Sequence, residues 1–142
     1  MVKVLIFGGC GFIGRNLAFQ LVEKGFEITV FDKNVNINNN YYKFKINIIK
    51  GDILDFELVD ETVKNQKYVF NFCAIKDITE SNKNSYKTAN VNIMGNINIL
   101  EACKKHNMKR FLYASSLYAA SNYWGGFYGT SKASSELFIE KL

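Results

Sequence analysis

The chain has no proline, one histidine, one tryptophan and three cysteines among its 142 residues, and these shortages narrow what it can be. With His106 as its only imidazole, a zinc site or a histidine-based triad has almost nothing to draw on. His106 falls near the end of a predicted helix, where a partly positive side chain suits the dipole. Cys10, Cys73 and Cys103 form no Cys-x-x-Cys pair and are odd in number, which argues against a disulfide framework and for free thiols. No apolar run reaches the roughly 20 residues needed to span a bilayer, so no membrane partner is expected. The apolar stretch after Met1 is too short for a signal peptide and runs into glycines, not a cleavage site, so a cytoplasmic location is expected. A dense basic stripe is missing as well. The net charge is +5, but Lys43, Lys45, Lys64, Lys83, Lys87 and Lys104 are spread through nearly every segment, which speaks against nucleic acid. The absence of proline accompanies abundant asparagine and reads as genome composition more than as physics.

What is present is one ordinary domain's worth of chain, 48% hydrophobic, with no internal repeat and no interior linker. It is organised around its first fourteen residues. Val2 to Phe7 has strand length and β-branched content, and stops at glycines that lead straight into a helical pattern. Gly8, Gly11 and Gly14 leave room for a turn with unusual dihedrals, for a pyrophosphate to approach main-chain N–H groups, and for close helix-to-strand packing. Read from Gly9, the same residues also satisfy G-x-G-x-x-G, so spacing alone does not name the dinucleotide-binding subtype. Phe12, Ile13, Leu17, Leu21 and Val22 recur at helical spacing, and Gly25 sits where the helix would end. A second strand, Glu27 to Phe31, runs into Asp32, about 20 residues beyond the turn, where a carboxylate can accept from an adenosine ribose.

Residues 33–45, opened by Lys33 and Asn34, are rich in Asn, Tyr and Lys and read as a surface excursion. Ile46 to Lys50 is a third strand, closed by Gly51-Asp52-Ile53. Asp52 is placed to accept from an adenine amino group with Ile53 against the ring, or simply to cap the next helix; both readings stand. That helix covers Leu54 to Asn65. Tyr68 to Phe72 is a fourth strand, a continuous apolar run suited to a sheet buried on both faces. The small-residue stretch after it lets the chain pass close to a ligand, and Lys76 either meets a phosphate or stays solvated. A long helical pattern runs from Ser81 to His106, with Asn92 inside it. An interior Asn needs a reason, and the chain's asparagine content supplies a mundane one. Arg110 to Ser115 is a fifth strand. Strands alternating with helices demand right-handed crossovers, so the expected fold is an α/β, doubly wound parallel sheet with its ligands at the carboxyl edge.

These segments resemble the short-chain dehydrogenase/reductase superfamily, in its extended branch that acts on nucleotide-sugars. The matching stretches are Gly8-Gly-Cys-Gly-Phe-Ile-Gly14, Gly51-Asp-Ile53, Asn71-Phe-Cys-Ala-Ile-Lys76, Val91-Asn-Ile-Met-Gly95, Arg110-Phe-Leu-Tyr-Ala-Ser-Ser116 and Tyr128-Gly-Thr-Ser-Lys132. Phe70 to Ser81 is especially similar to the UDP-glucose 4-epimerases. The resemblance implies a Rossmann-type NAD-binding domain over residues 1–142, with Phe12 and Ile13 lining the pyrophosphate turn and Asp32 and Asn34 on the ribose. It implies Asp52 and Ile53 at the adenine; Phe72, Cys73, Ala74 and Lys76 near the nicotinamide ribose and phosphate; and Asn92 bracing that region from its helix. An acid at Asp32 favours NAD over NADP, with Lys33 beside it as the opposing feature.

Tyr128 and Lys132 stand four apart, on one face of a helix. A free phenol titrates near pH 10, roughly three units too high for a base at neutral pH; positive charge from Lys132 and from oxidised nicotinamide would lower it. In the family's chemistry Tyr128 is then the acid/base, Lys132 its cationic neighbour, and Ser116 the group that fixes the substrate hydroxyl. The implied function is NAD-dependent epimerisation of a nucleotide-sugar by transient oxidation of a sugar hydroxyl. A dehydratase would carry an acidic pair just after Ser116, where this chain has Leu117 and Tyr118. The runner-up is a non-catalytic NAD(P)-binding module or fragment, or a nucleotide-sugar dehydratase or reductase of the same family.

Two departures stand out. Only eleven residues separate Ser116 from Tyr128, a short loop for this branch, filled by Tyr123, Trp124, Gly125 and Gly126, whose aromatics either stack on a sugar or pack the loop. The chain also stops at Leu142, where extended members continue into a substrate domain. The expectation is a domain truncated before that part, with β-strand five an exposed edge, and with a homodimer and a complementing C-terminal chain as the protein partners left open.

Overall fold

The computed structural model describes residues 1–35, 41, 43–121 and 124–141. Five parallel strands make one sheet: β1 (Lys3–Phe7), β2 (Glu27–Asp32), β3 (Asn47–Lys50), β4 (Tyr68–Asn71) and β5 (Arg110–Tyr113). The helices are α1 (Phe12–Glu23), α2 (Phe56–Val63), α3 (Ile78–Lys83), α4 (Ser85–Ala89), α5 (Gly95–Lys105) and α6 (Gly126–Ile139). A π turn at Asn90–Met94 joins α4 to α5, and a 3-10 turn covers Leu117–Ala120.

The strand order is β3-β2-β1-β4-β5. The chain winds outward from β1 to β3, then crosses back to β4, so the order reverses between β1 and β4. A doubly wound sheet has its ligand crevice at that reversal, beyond the carboxyl ends of the strands. The register brings Phe7 level with Phe31 and with Asn71, Asp32 level with Lys50, and Asn71 level with Tyr113. The expected fold is the one found.

Strand alternation builds two cores. Leu5, Phe7, Phe31 and Val69 meet Val59 and Val63 of α2 and Ile99, Ala102 and Cys103 of α5. On the other face Val4, Ile6, Ile28 and Val30 meet Ala18 of α1, Tyr41 and Ile46. The central strand β1 serves both, with Val4 to Phe7 at most 1% exposed, which is why it reads as a continuous apolar run.

Two expectations need correction. Residues 33–45 are not simply a surface excursion, because Tyr41 is fully buried and its ring stands edge-on to Phe19 of α1. Residues 36–40 and 42 of that stretch lie outside the described residues. The single helix expected over 81–106 is broken at Asn84, whose side chain accepts from the Lys87 amide (3.0 Å) and so starts α4. Asp77 in the same way starts α3, ahead of the expected boundary, by accepting from Glu80 N (2.7 Å).

Candidate active site at the carboxyl edge of the sheet

The glycine turn is held by backbone. Gly8 has φ +72°, and a Cβ there would lie 2.8 Å from the Cys73 nitrogen and the Phe72 carbonyl carbon. A Cβ on Gly14 would lie 2.5 Å from the Gly8 oxygen, so α1 sits directly on the turn. Gly8 N donates to Phe31 O (2.8 Å) and Gly11 N to Gly8 O (3.1 Å). Gly11 is the N-cap of α1, whose first turn carries no acidic residue, and Phe12 and Ile13 just inside it are 76% and 59% exposed. An anion can therefore approach the positive end of a twelve-residue helix without meeting a carboxylate in its first turn.

Asp32, at the end of β2, accepts from Cys10 N through Oδ2 and from Asn34 N through Oδ1, both at 2.9 Å. A carboxylate has about four acceptor sites, so each oxygen keeps capacity for a hydroxyl. Asn34 is exposed beside it. Asp52, after β3, accepts from Leu54 N (3.1 Å) and pairs with Lys33 Nζ (2.6 Å). Burial pushes the Asp52 carboxyl up, but the Lys33 ammonium and the Leu54 amide outweigh it and hold it below the usual carboxylate range. Asp52 is not the cap of α2; Asp55 is, accepting from Leu58 N. Ile53 is 4% exposed and packs on Gly95, so most of its side chain serves the core.

The segment after β4 passes under the glycine turn. Phe72 N donates to Phe7 O (2.9 Å) and Cys73 N to the buried Asn71 side chain (2.9 Å). Phe72, Cys73 and Ala74 are half-buried and Lys76 is exposed. Burial pushes the Cys73 thiol up, so it is protonated. Asn92, inside the π turn, fixes this segment: its Oδ1 accepts from Ile75 N (2.7 Å), and its Nδ2 donates to Ile75 O (3.1 Å) and Ser131 Oγ (2.9 Å). Ser135 Oγ of α6 donates to the Asn92 carbonyl (2.9 Å). The mundane account of Asn92 is thus incomplete: its side chain ties a loop, a π turn and α6 together.

On α6, Lys132 is 3% exposed and donates from Nζ to Ala114 O (2.8 Å), just past β5. The same nitrogen lies 4.5 Å from the Tyr113 ring centre and 5.9 Å from that of Tyr128. Burial pushes its ammonium down to about 8. Tyr128 is half-buried, with the Tyr118 ring edge-on at 6.4 Å. Ser116 Oγ accepts from Tyr118 N (3.3 Å), so Ser116 and Tyr128 are linked through Tyr118. Trp124 is 74% exposed, which fits poorly with a loop-packing role, and Tyr123 lies outside the described residues.

The carboxyl edge therefore gathers the glycine turn, Asp32, Asp52, Phe72–Lys76 and Ser116, and α6 reaches in with Tyr128 and Lys132. Missing from the sequence reading were Tyr41, whose hydroxyl donates to Gly9 O (3.1 Å); Asn82, whose side chain accepts from Phe127 N (3.0 Å) to start α6; and Tyr113. Only Tyr113 had a signal, since it precedes Ala114-Ser115-Ser116 on a strand that ends at the site. A turn whose Cβ positions are filled by main chain, a helix N-terminus and a carboxylate with spare acceptor capacity together fit a dinucleotide.

The profile of the family described as NAD dependent epimerase/dehydratase matches residues 4–136. Among curated relatives, the chain is 38% identical over 124 residues to dTDP-D-glucose 4,6-dehydratase from Dictyostelium discoideum, covering 80% of this chain and 29% of that protein. It is 30% identical over 125 residues to a putative UDP-glucose 4-epimerase from Methanocaldococcus jannaschii, covering 84% and 41%. Among solved structures, the UDP-glucose 4-epimerase from Brucella ovis in complex with NAD superposes with a TM-score of 0.87 at 25% identity, over 99% of this chain and 47% of that one. The chain thus spans less than half the length of each of these proteins. With 133 consecutive positions under one profile and the same doubly wound sheet beneath them, this chain belongs to the NAD-dependent epimerase/dehydratase family, whose cofactor is NAD.

Proposed function

We propose that the chain is the cofactor-holding part of a nucleotide-sugar epimerase resembling the UDP-glucose 4-epimerases. In this reading Gly8, Gly11, Phe12, Ile13 and Gly14 receive the pyrophosphate of NAD, Asp32 and Asn34 the adenosine ribose, and Asp52 with Ile53 the adenine. Phe72, Cys73, Ala74 and Lys76 flank the nicotinamide end, with Asn92 bracing them. Bound NAD supplies a reversible acceptor for the hydride of a sugar C–H bond.

Tyr128 takes the proton of the sugar hydroxyl as that C–H bond breaks, leaving a ketone, and gives the proton back when the bond is remade on the opposite face. Lys132 supplies the positive charge that favours phenolate over phenol at Tyr128. Ser116 donates to the reacting oxygen and fixes its angle. The observation that carries the reading is the buried ammonium of Lys132, one helical turn from Tyr128 and anchored at the end of β5. An ammonium is expensive to bury and is seldom placed there without a task.

A second reading, dehydration, is favoured by the 38% identity to a dehydratase. Against it, Leu117 is 88% exposed and Tyr118 40% exposed where an acidic pair is expected, so no acid stands there to expel a leaving group. The test is to add UDP-glucose to the NAD-loaded protein and follow nicotinamide absorbance, with Tyr128→Phe as control. Reduction that depends on Tyr128, with a product epimeric at the oxidised carbon, is the expected result. A keto sugar that has lost water would select the dehydratase, and an unchanged spectrum would leave an NAD-binding module.

A further inference from the structure

Lys132 has an unusual set of neighbours for a buried cation. It takes no part in the ion pairs found among the described residues. Of the titratable groups that face it, Glu136 lies one turn further along α6, where its negative charge favours the ammonium and one of its carboxylate oxygens accepts from the Ser115 hydroxyl, and Cys73, from the loop after β4, is a neutral thiol. The other two are phenols, Tyr128 of α6 and Tyr113 of β5. Among the described residues, Nζ donates to a neutral carbonyl, that of Ala114. An ammonium has three donors and a full charge to satisfy, and the negative face of the Tyr113 ring lies 4.5 Å from Nζ.

The Tyr113 hydroxyl has no part in this. It is buried and lies beside the Ser135 hydroxyl, whose own proton goes to Asn92 O. Burial also pushes the Tyr113 phenol up to about 12, so it stays neutral while Lys132 is charged.

We propose that Tyr113 is a positioning residue: the face of its ring holds the Lys132 ammonium against the end of β5, beside Tyr128. This rests on the reading of Tyr128 and Lys132 as the reacting pair, and it adds the group that keeps the ammonium in place and charged. The ring opposes desolvation, so its removal lowers the pH at which Lys132 loses its proton. A desolvated cation–π contact corresponds to about one pH unit of that midpoint.

The side-chain resonances of Lys132, assigned by their loss in Lys132→Met, are followed against pH by NMR on the folded, cofactor-free chain. The wild-type midpoint is expected near 8. Tyr113→Phe keeps the ring and should leave that midpoint in place, while Tyr113→Leu should lower it by about one unit. Pentafluorophenylalanine at position 113 keeps the ring's shape but reverses its polarity, and should act like leucine; it decides the matter if the leucine variant does not fold. A midpoint unmoved by loss or reversal of the ring overturns the proposal, as does a Tyr113→Phe shift as large as that of leucine. Because neither NAD nor sugar is present, failure here is separate from failure of the nicotinamide-reduction test.

Discussion

The two halves of the site are held in different ways. Around β1, α1 and β2 the geometry is made by what is missing from side chains: main chain fills the space a Cβ would need at Gly8 and Gly14. Around β4, the π turn and α6 it is made by side chains crossing gaps: Asn92 to Ile75 and Ser131, Asn71 to Asn96, Asn82 to the start of α6. Backbone contact leaves few alternative positions, whereas amide bridges let separate elements be set at chosen distances. The division suits a reading in which one half grips an unchanging cofactor tail and the other aligns reacting groups.

The largest effect should come from Gly8→Ala. The new methyl meets main-chain atoms of Phe72 and Cys73 in a left-handed backbone conformation that alanine disfavours, so the strain is hard to relieve. Combined strain and overpacking should cost about 3 kcal/mol in urea unfolding and abolish measurable NAD binding. A cost under about 1 kcal/mol would mean the turn yields easily and is not locked by backbone. Next comes Asn92→Ala, which strips three side-chain hydrogen bonds and leaves the Ile75 amide groups unpaired, for about 2 kcal/mol. Its sharper consequence is selective: AMP, which reports only the adenosine end, should bind the variant as it binds wild type, while NAD-linked chemistry falls. Equal loss of AMP affinity would dissolve the division into two halves.

The same contrast decides what could be read from the sequence. A glycine required by close approach sits at a fixed spacing beside its strand, so the turn, the strands and Asp32 were visible, as was the order of elements that dictates a doubly wound sheet. Tyr128 and Lys132 were visible because four residues is one helical turn. An asparagine bridge carries no such spacing: Asn82 serves Phe127, 45 residues away, and looks like every other asparagine in an asparagine-rich chain. Asn92 was singled out inside its helical pattern and by the resemblance, but its partners Ile75 and Ser131 were not, because its turn is π rather than α, which slips the helical register that sequence periodicity assumes. Tyr41 was lost among the Asn, Tyr and Lys of a stretch that looks solvated throughout, although its ring fills the α1 side of the core.

Tyr41 gives the finest test of the comparison, because it brings a side-chain bridge into the half that is held by backbone. Its hydroxyl donates to Gly9 O at 3.1 Å, inside the glycine turn, while its ring packs on Phe19. Tyr41→Phe removes the hydroxyl alone and leaves the ring, so the loss is its bond to Gly9 O and its contact with the Cys10 side chain, about 1 kcal/mol in urea unfolding. If main chain sets the turn, the Gly8 amide bond to Phe31 and the seat of α1 on Gly8 keep its shape without Tyr41, and NAD affinity should change less than about threefold. If the hydroxyl sets it, NAD affinity should fall toward the Gly8→Ala level although stability falls far less. Calorimetric titration of NAD into the two variants, beside their unfolding curves, separates these outcomes. The backbone account requires binding to follow the turn's steric lock and to be nearly blind to the phenol.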